Sequence, residues 1–265
     1  MSQLKKIFKR NTHNKLFSAL AGFGRSMNRL YENRNHDPES NGESVILKKL
    51  NSLSPEIIFD GGANVGDYSL LASANCPDTK VFSFEPVKST FDLLVKNISA
   101  SKNIFPINFG LFSETMKREI QIYDSHTHSS LYELKGVNYS ATKTELIELV
   151  TGDSFMKQNE IDKVDFLKLD VEGAELDALK GFDIALKNKC VRMIQFEYGY
   201  INITSKNLLA DYYDFFRKYD YMIGKIYPKQ IEFRDYHFRQ EDFIGPNFIA
   251  IHKSDEPLIK KLSSR

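Results

Sequence analysis

Short apolar runs alternate with helix-period stretches from residue 57 to residue 219. Runs that are apolar throughout mark strands buried on both faces, as in a parallel sheet. The pattern predicts strands over 57–60, 80–84, 103–108, 164–169 and 191–197. Between them it predicts helices over 67–74, 87–99, 153–158, 174–187 and 206–219, with a short helix over 43–53 leading into the first strand. Phe91, Leu94, Val95 and Ile98 put one apolar face on the 87–99 helix. The alternation breaks over 111–150, where 118–123 and 145–150 read as strands set among polar loops. That stretch predicts a β-rich insertion over the mouth of the sheet. The run 248–251 predicts a last strand.

The end of the first strand carries the most informative residues. Ile58-Phe59-Asp60 runs into Gly61-Gly62-Ala63-Asn64-Val65-Gly66, and a helix start follows at Asp67. A strand feeding a small-residue turn and a helix offers free N–H groups and close backbone approach to a ligand. Val81-Phe82-Ser83-Phe84 then ends in Glu85-Pro86, at the spacing where a βαβ nucleotide site places its ribose-binding carboxylate. Ala63 stands where a dinucleotide fingerprint wants its second glycine, which disfavours an oxidoreductase. The form Asp-x-Gly-x-Asn-x-Gly, from Asp60 to Gly66, resembles instead the S-adenosylmethionine loop of class I methyltransferases. Asp60, Gly61, Gly62, Ala63, Asn64, Gly66, Glu85 and Pro86 are therefore the expected cofactor-binding residues. Asp60 is expected to orient the loop and to face the methionine amino group.

Residues 57–252 resemble the FkbM family of methyltransferases. The resemblance rests on the Asp60–Gly66 loop, Phe84-Glu85-Pro86, Ser129-Ser130-Leu131, Phe166-Leu167-Lys168-Leu169-Asp170-Val171-Glu172-Gly173-Ala174-Glu175, Leu179-Lys180-Gly181 and Phe196-Glu197. It implies an α/β fold: a Rossmann-like class I methyltransferase sheet with helices on both faces, closed by an antiparallel strand. The β-rich insertion and a basic helical N-terminal extension complete the expected chain. It also implies methyl transfer from S-adenosylmethionine, usually to a hydroxyl oxygen of a sugar or small metabolite. A methyltransferase fold that has lost its chemistry and serves as a scaffold is the alternative, disfavoured by the intact acidic motifs.

Asp170 closes a strand, and strand carboxyl ends line the ligand crevice in open α/β sheets. It is expected near the methyl donor and is a candidate for both cofactor binding and catalysis. Glu172 in the following turn, Glu197 at the end of the next strand and His128 in the insertion are the other candidate bases. Glu175 reads either as functional or as a first-turn helix acid. Lys168 reads as a partner for an acid or for the cofactor carboxylate, or as a sheet-edge cation. His126 and His128 lack an identifiable third ligand, so no metal is expected.

Net charge is +1 over 265 residues, which gives no global field for nucleic acid. Residues 1–36, however, carry eight Lys/Arg and one acid, Glu32, for a local charge of +7. Their interleaved Leu, Ile and Phe residues predict basic amphipathic helices. These are either a cap packed on the domain or an interfacial helix on anionic lipid, a peripheral membrane contact. Asp37-Pro38 marks a linker, so the expected division is 1–42 for the extension and 43–265 for the catalytic domain. Cys76 and Cys190 make no disulfide framework, which suits a reducing cytoplasm. No apolar run approaches the length of a membrane span. Leu16–Phe23 mimics part of a signal peptide without a clear cleavage site, and the acid-poor start also resembles a transit peptide.

Overall fold

A computed structural model describes residues 3–10, 12–123, 129–133 and 141–264. The chain opens with α1 (Gln3–Arg10), α2 (Lys15–Tyr31) and α3 (Glu43–Asn51). The first βα units are β1 (Ile57–Gly61), α4 (Asp67–Asn75), β2 (Lys80–Phe84), α5 (Lys88–Asn97) and β3 (Ile104–Ile107). An insertion follows with β4 (Gly110–Leu111), β5 (Met116–Tyr123), β6 (Ser129–Ser130) and β7 (Ala141–Val150). The winding resumes through α6 (Gly152–Gln158), β8 (Phe166–Leu169), α7 (Glu175–Lys180), α8 (Asp183–Lys187) and β9 (Met193–Glu197). The last part holds α9 (Asn202–Ser205), α10 (Leu209–Arg217), β10 (Tyr221–Ile226), β11 (Ile231–Phe233), β12 (Asn247–His252) and α11 (Glu256–Ser263).

Eight strands form one sheet in the order β11-β10-β12-β9-β8-β1-β2-β3. From β9 to β3 the neighbours run parallel, whereas β12 joins β9 antiparallel. Successive strand residues point to opposite faces, so Ile58 and Phe59 serve two cores. Ile58, Val81, Phe166 and Met193 pack under residues of α3, α4, α5 and α11. Phe59, Phe84, Leu167 and Phe196 pack under residues of α6, α7, α8 and α10. Burial on both faces explains why the strands read as continuous apolar runs. This is the Rossmann-like α/β architecture expected from the sequence. The chain leaves β1 for β2 on one side and reaches β8 on the other, so a topological switch point lies between β1 and β8.

The insertion is a second sheet, ordered β4-β7-β5-β6. Its apolar side, Ile120, Ile122, Ile147 and Leu149, packs on Val87, Val171 and Ala174. Those three residues follow the carboxyl ends of β2 and β8, so the insertion roofs the crevice.

Helix α9 and strands β10 and β11 were not read from the periodicity, and other elements differ from it. The expected helix over 174–187 is two helices, α7 and α8. The Gly181 carbonyl accepts the Asp153 N–H at 2.9 Å, and a Cβ on Gly181 would lie 2.1 Å from the Phe112 carbonyl oxygen. The insertion thus takes the space a continuing helix would need. The 206–219 helix starts late, because Lys206 adopts a left-handed φ of +60° and Asp211 caps the N–H of Leu208 at 2.7 Å. Helix α11 was not anticipated. Its signal was the N-cap Asp255, whose carboxylate accepts the Leu258 N–H at 3.2 Å, followed by Pro257 in the first turn.

The N-terminal helices bear on the cap reading alone. Helix α2 has no buried residue, so it is not a cap packed on the domain. The chain joins the domain just beyond it, where Lys225 of β10 donates to Glu32 at 2.7 Å. The Asn33 amide donates to the carbonyls of Ile226 at 3.0 Å and Asn41 at 2.9 Å.

Candidate active site

The loop after β1 is strapped across two strand ends. The N–H groups of Gly62 and Ala63 both donate to the Phe84 carbonyl, at 3.0 and 2.9 Å. Gly62 has φ +81°, and a Cβ there would lie 1.9 Å from the Asp170 carbonyl oxygen. Only glycine lets the β1 loop close onto the end of β8. Glu85 fastens the same loop from β2. One carboxyl oxygen accepts the Asn64 N–H at 3.1 Å and the other the Val87 N–H at 2.9 Å. Burial pushes the Glu85 pKa up to about 7, against the pull of those two N–H groups. Asn108 braces this turn by donating to the carbonyls of Glu85 and Pro86 at 2.8 and 3.1 Å.

A cavity of about 160 Å³ opens over these residues. Glu85, Pro86 and Gly110 form one wall, and Asp170, Glu172 and Ala174 form the other. Ser129, Leu131, Ile147 and Leu149 of the insertion close it from above. The turn that carries Glu172 is held in place from three directions. Glu172 itself has a left-handed φ of +51°. Ser130 donates to its carbonyl at 2.8 Å. Glu175, fully buried, accepts the N–H groups of Val171 and Gly173 at 3.0 and 3.1 Å. Glu175 is thus a brace of the turn, a role between its two expected ones. A positive φ at a non-glycine residue is the kind of strain that clusters at functional sites.

The acids around this turn are shifted in opposite directions. Burial would raise the Asp170 pKa, but the Lys168 ammonium at 3.2 Å and a hydrogen bond from Glu197 hold it below the usual carboxylate range. Glu197 is pushed well above its ordinary value by burial and by the charges of Asp170, Glu172 and Glu175. Glu172 is pushed up to about 8 by burial, then by Asp170 and Glu175. The set thus holds Asp170 shifted down beside Glu197 shifted up, with Glu172 raised to about 8.

A second cavity, of about 270 Å³, lies on the other side of the loop and shares Gly62, Asn64 and Asp170 with the first. Its walls include His36, Glu43, Tyr68, Lys168 and Glu197. The Glu43 carboxyl accepts from Asn41 at 2.6 Å and from Gln195, and burial raises its pKa despite Lys168. The Tyr68 hydroxyl is buried without a hydrogen-bond partner among the described residues. The Lys168 ammonium sits 4.6 Å from the Tyr68 ring centre and 3.5 Å from Asp60. Burial would lower the Lys168 pKa, but Asp170, Asp60 and Glu43 outweigh it and raise it.

Most of the expected residues therefore converge. Gly62, Asn64, Glu85, Pro86, Asp170 and Glu172 line the first cavity, Ala63 and Glu197 the second. Gly61 and Gly66 shape the loop behind them. Asp60 differs from the expectation that its carboxylate faces the ligand. It is fully enclosed, accepts from Ser69 at 2.6 Å and faces Lys168. Lys168 lies on β8, between β1 and β9, so the sheet-edge reading fails. His126 and His128 lie outside the described residues. Among the described residues no group of His, Cys, Asp and Glu could hold a metal ion. Glu43 and Tyr68 were missed. Glu43 shares a helix face with Ile46, Leu47 and Leu50, and an acid on an apolar face was the readable signal.

Residues 60–223 match the profile of the methyltransferase FkbM domain. Over 151 residues the chain is 30% identical to the hexuronic acid methyltransferase AglP of Haloferax volcanii, covering 56% of this chain and 59% of that one. Over 159 residues it is 25% identical to the methyltransferase sdnD of Sordaria araneosa, covering 49% and 61%. The chain thus spans about three fifths of the length of these relatives. A crystal structure of methyltransferase FkbM from Methylobacillus flagellatus aligns over 75% of this chain and 44% of that one, at 18% identity and a TM-score of 0.48. With the profile covering more than half of its length and the crevice in the place the motifs require, the chain belongs to the FkbM methyltransferase family.

Proposed function

We propose that the protein transfers a methyl group from S-adenosylmethionine to a hydroxyl oxygen of a sugar or glycan. The observation that carries this reading is the pair of cavities joined at Gly62, Asn64 and Asp170. The first offers Glu85, a buried carboxyl fixed by backbone N–H groups, for the ribose hydroxyls, with Pro86 and Gly110 beside it. The second offers carboxyls for an ammonium group, with Lys168 and the unpartnered Tyr68 hydroxyl for a carboxylate. A nucleoside joined to an amino acid fits that division. The cradle at Gly62, which any Cβ would fill, supports the same fit. Bound there, S-adenosylmethionine supplies a methyl group already activated on a sulfonium sulfur.

The remaining work is to align the acceptor oxygen and take its proton. Alignment alone lowers such a barrier by about 7–11 kcal/mol at best. Among the described acids Glu172 is best suited as the base, because a base works best with a pKa near the operating pH. Asp170, held ionised by Lys168, is a weaker base and positions the donor. Glu197, hydrogen-bonded to Asp170, supports it. The similarity to a hexuronic acid methyltransferase supports a sugar acceptor.

The test is a transfer assay with isotope-labelled S-adenosylmethionine on neutral sugars and on hexuronic acids, with calorimetry of cofactor binding beside it. The expected product carries label in a linkage stable to mild alkali, as a methyl ether is. Alkali-labile label would mean an ester on a carboxylate oxygen and would sink the hydroxyl assignment. Cofactor binding without transfer to any acceptor would favour the scaffold reading. Binding of NAD in its place would overturn the cofactor.

A further inference from the structure

Helix α2 projects an apolar row with nothing of the domain against it. Leu16, Leu20, Phe23, Met27 and Leu30 follow the spacing of one helix face, and each is between 44% and 72% exposed. Ile7 and Phe8 of α1 are exposed as well. The Phe8 ring meets the Phe17 ring edge-on at 5.4 Å, which ties the two helices into one surface. The opposite side of α2 carries Lys15, Arg25 and Arg29. Residues 1–31 contain seven Lys/Arg and no acid. The first acid, Glu32, is already engaged by the buried Lys225.

We propose that residues 1–31 dock the protein on an anionic phospholipid surface, with the apolar row at the acyl boundary and the cations among the headgroup phosphates. A helix that is apolar on one side and cationic on the other, with low mean hydropathy, lies in such an interface. Charge selects this occupant over a second copy of the chain. A second copy of the arm carries the same net positive charge and no acid before Glu32, whereas an anionic surface complements it. A span across the bilayer is disfavoured too: among the described residues no helix is long and apolar enough. Because Glu32 and Asn33 clamp the root of the arm to β10, and His36 lines the second cavity a few residues later, a docked arm sets the crevice close to the lipid surface.

The test is flotation of the full chain with vesicles of phosphatidylglycerol and phosphatidylcholine in equal parts, and of phosphatidylcholine alone, at low and high salt. Binding is expected to the anionic vesicles only and to fade with salt. Leu20→Glu with Phe23→Glu should abolish it without moving thermal unfolding, since neither side chain is buried. Arg25→Glu with Arg29→Glu should weaken it by about tenfold or more. The proposal is overturned if the full chain stays off anionic vesicles at low salt. It is equally overturned if it floats with both vesicle types alike, or if sedimentation shows a dimer that the Leu20/Phe23 variant dissociates while vesicles bind neither form.

Discussion

The proposed chemistry turns on how one lysine divides its neighbours. Lys168 is buried 3.5 Å from Asp60 and 3.2 Å from Asp170 and, with a hydrogen bond from Glu197, holds the Asp170 pKa below the usual carboxylate range against burial. Glu172 is raised to about 8, first by burial and then by Asp170 and Glu175, with Lys168 only partly offsetting them. The base must be deprotonated to act, so kcat/KM should rise with pH through about 8 and level off above it. Glu172→Gln keeps the shape of the side chain and should lower kcat/KM by about a hundredfold. The acid limb near pH 8 should vanish with it. If the variant keeps that limb, the proton goes to another group. Asp60, Asp170 and Glu197 were legible as strand-end acids and Glu172 as a turn acid, but the opposite pKa shifts of Asp170 and Glu172 were not. Those depend on which of them Lys168 reaches, and the sequence places Lys168 only on a strand.

At the scale of elements, the parts that were legible are those whose burial is local. Strands β1, β2, β8 and β9 are apolar on both faces, so their runs announce them. The break between α7 and α8 was not legible, because its cause is Phe112, some seventy residues away in the chain. Glu43 escaped for the same reason: its partners Gln195 and Lys168 come from β9 and β8. The loop after β1 shows the local and the distant working together. Its glycines were readable, yet the requirement at Gly62 comes from the Asp170 carbonyl on another strand. Gly62→Ala should therefore cost roughly 1–3 kcal/mol and push the loop off β8. Cofactor affinity should fall with it. Gly24→Ala is the matched control. No atom lies within 4 Å of its added Cβ, and in a helix alanine should gain about 0.5–1 kcal/mol. Equal effects of the two substitutions in thermal unfolding would refute the close-approach argument.

Over the whole molecule, charge and burial divide the chain at different places. The charge boundary falls near residue 36, with +7 before it and −6 after it. The linker signal at Asp37-Pro38 suggests a division at residue 42. Burial suggests another, because Asn33 and Asn41 are enclosed by the domain and Glu32 neutralises Lys225, which is only 2% exposed. Among the described residues, removing 1–30 deletes no buried side chain. Thermal unfolding of that truncated chain should stay within about 2 °C of the full chain, as for surface changes generally. Removing residues 1–42 takes away Glu32 and leaves the Lys225 ammonium buried without its partner. Breaking a buried pair in this way costs about 3–5 kcal/mol, a fall in Tm of about 10 °C for a domain of this size. It also removes His36 and Asn41 from the wall beside Glu43, so cofactor affinity should fall in the shorter chain and hold in the longer one. Equal melting temperatures for the two truncations would show that the Glu32–Lys225 clamp contributes nothing. The arm and the linker would then form one dispensable unit, and the crevice would owe nothing to the residues before α3.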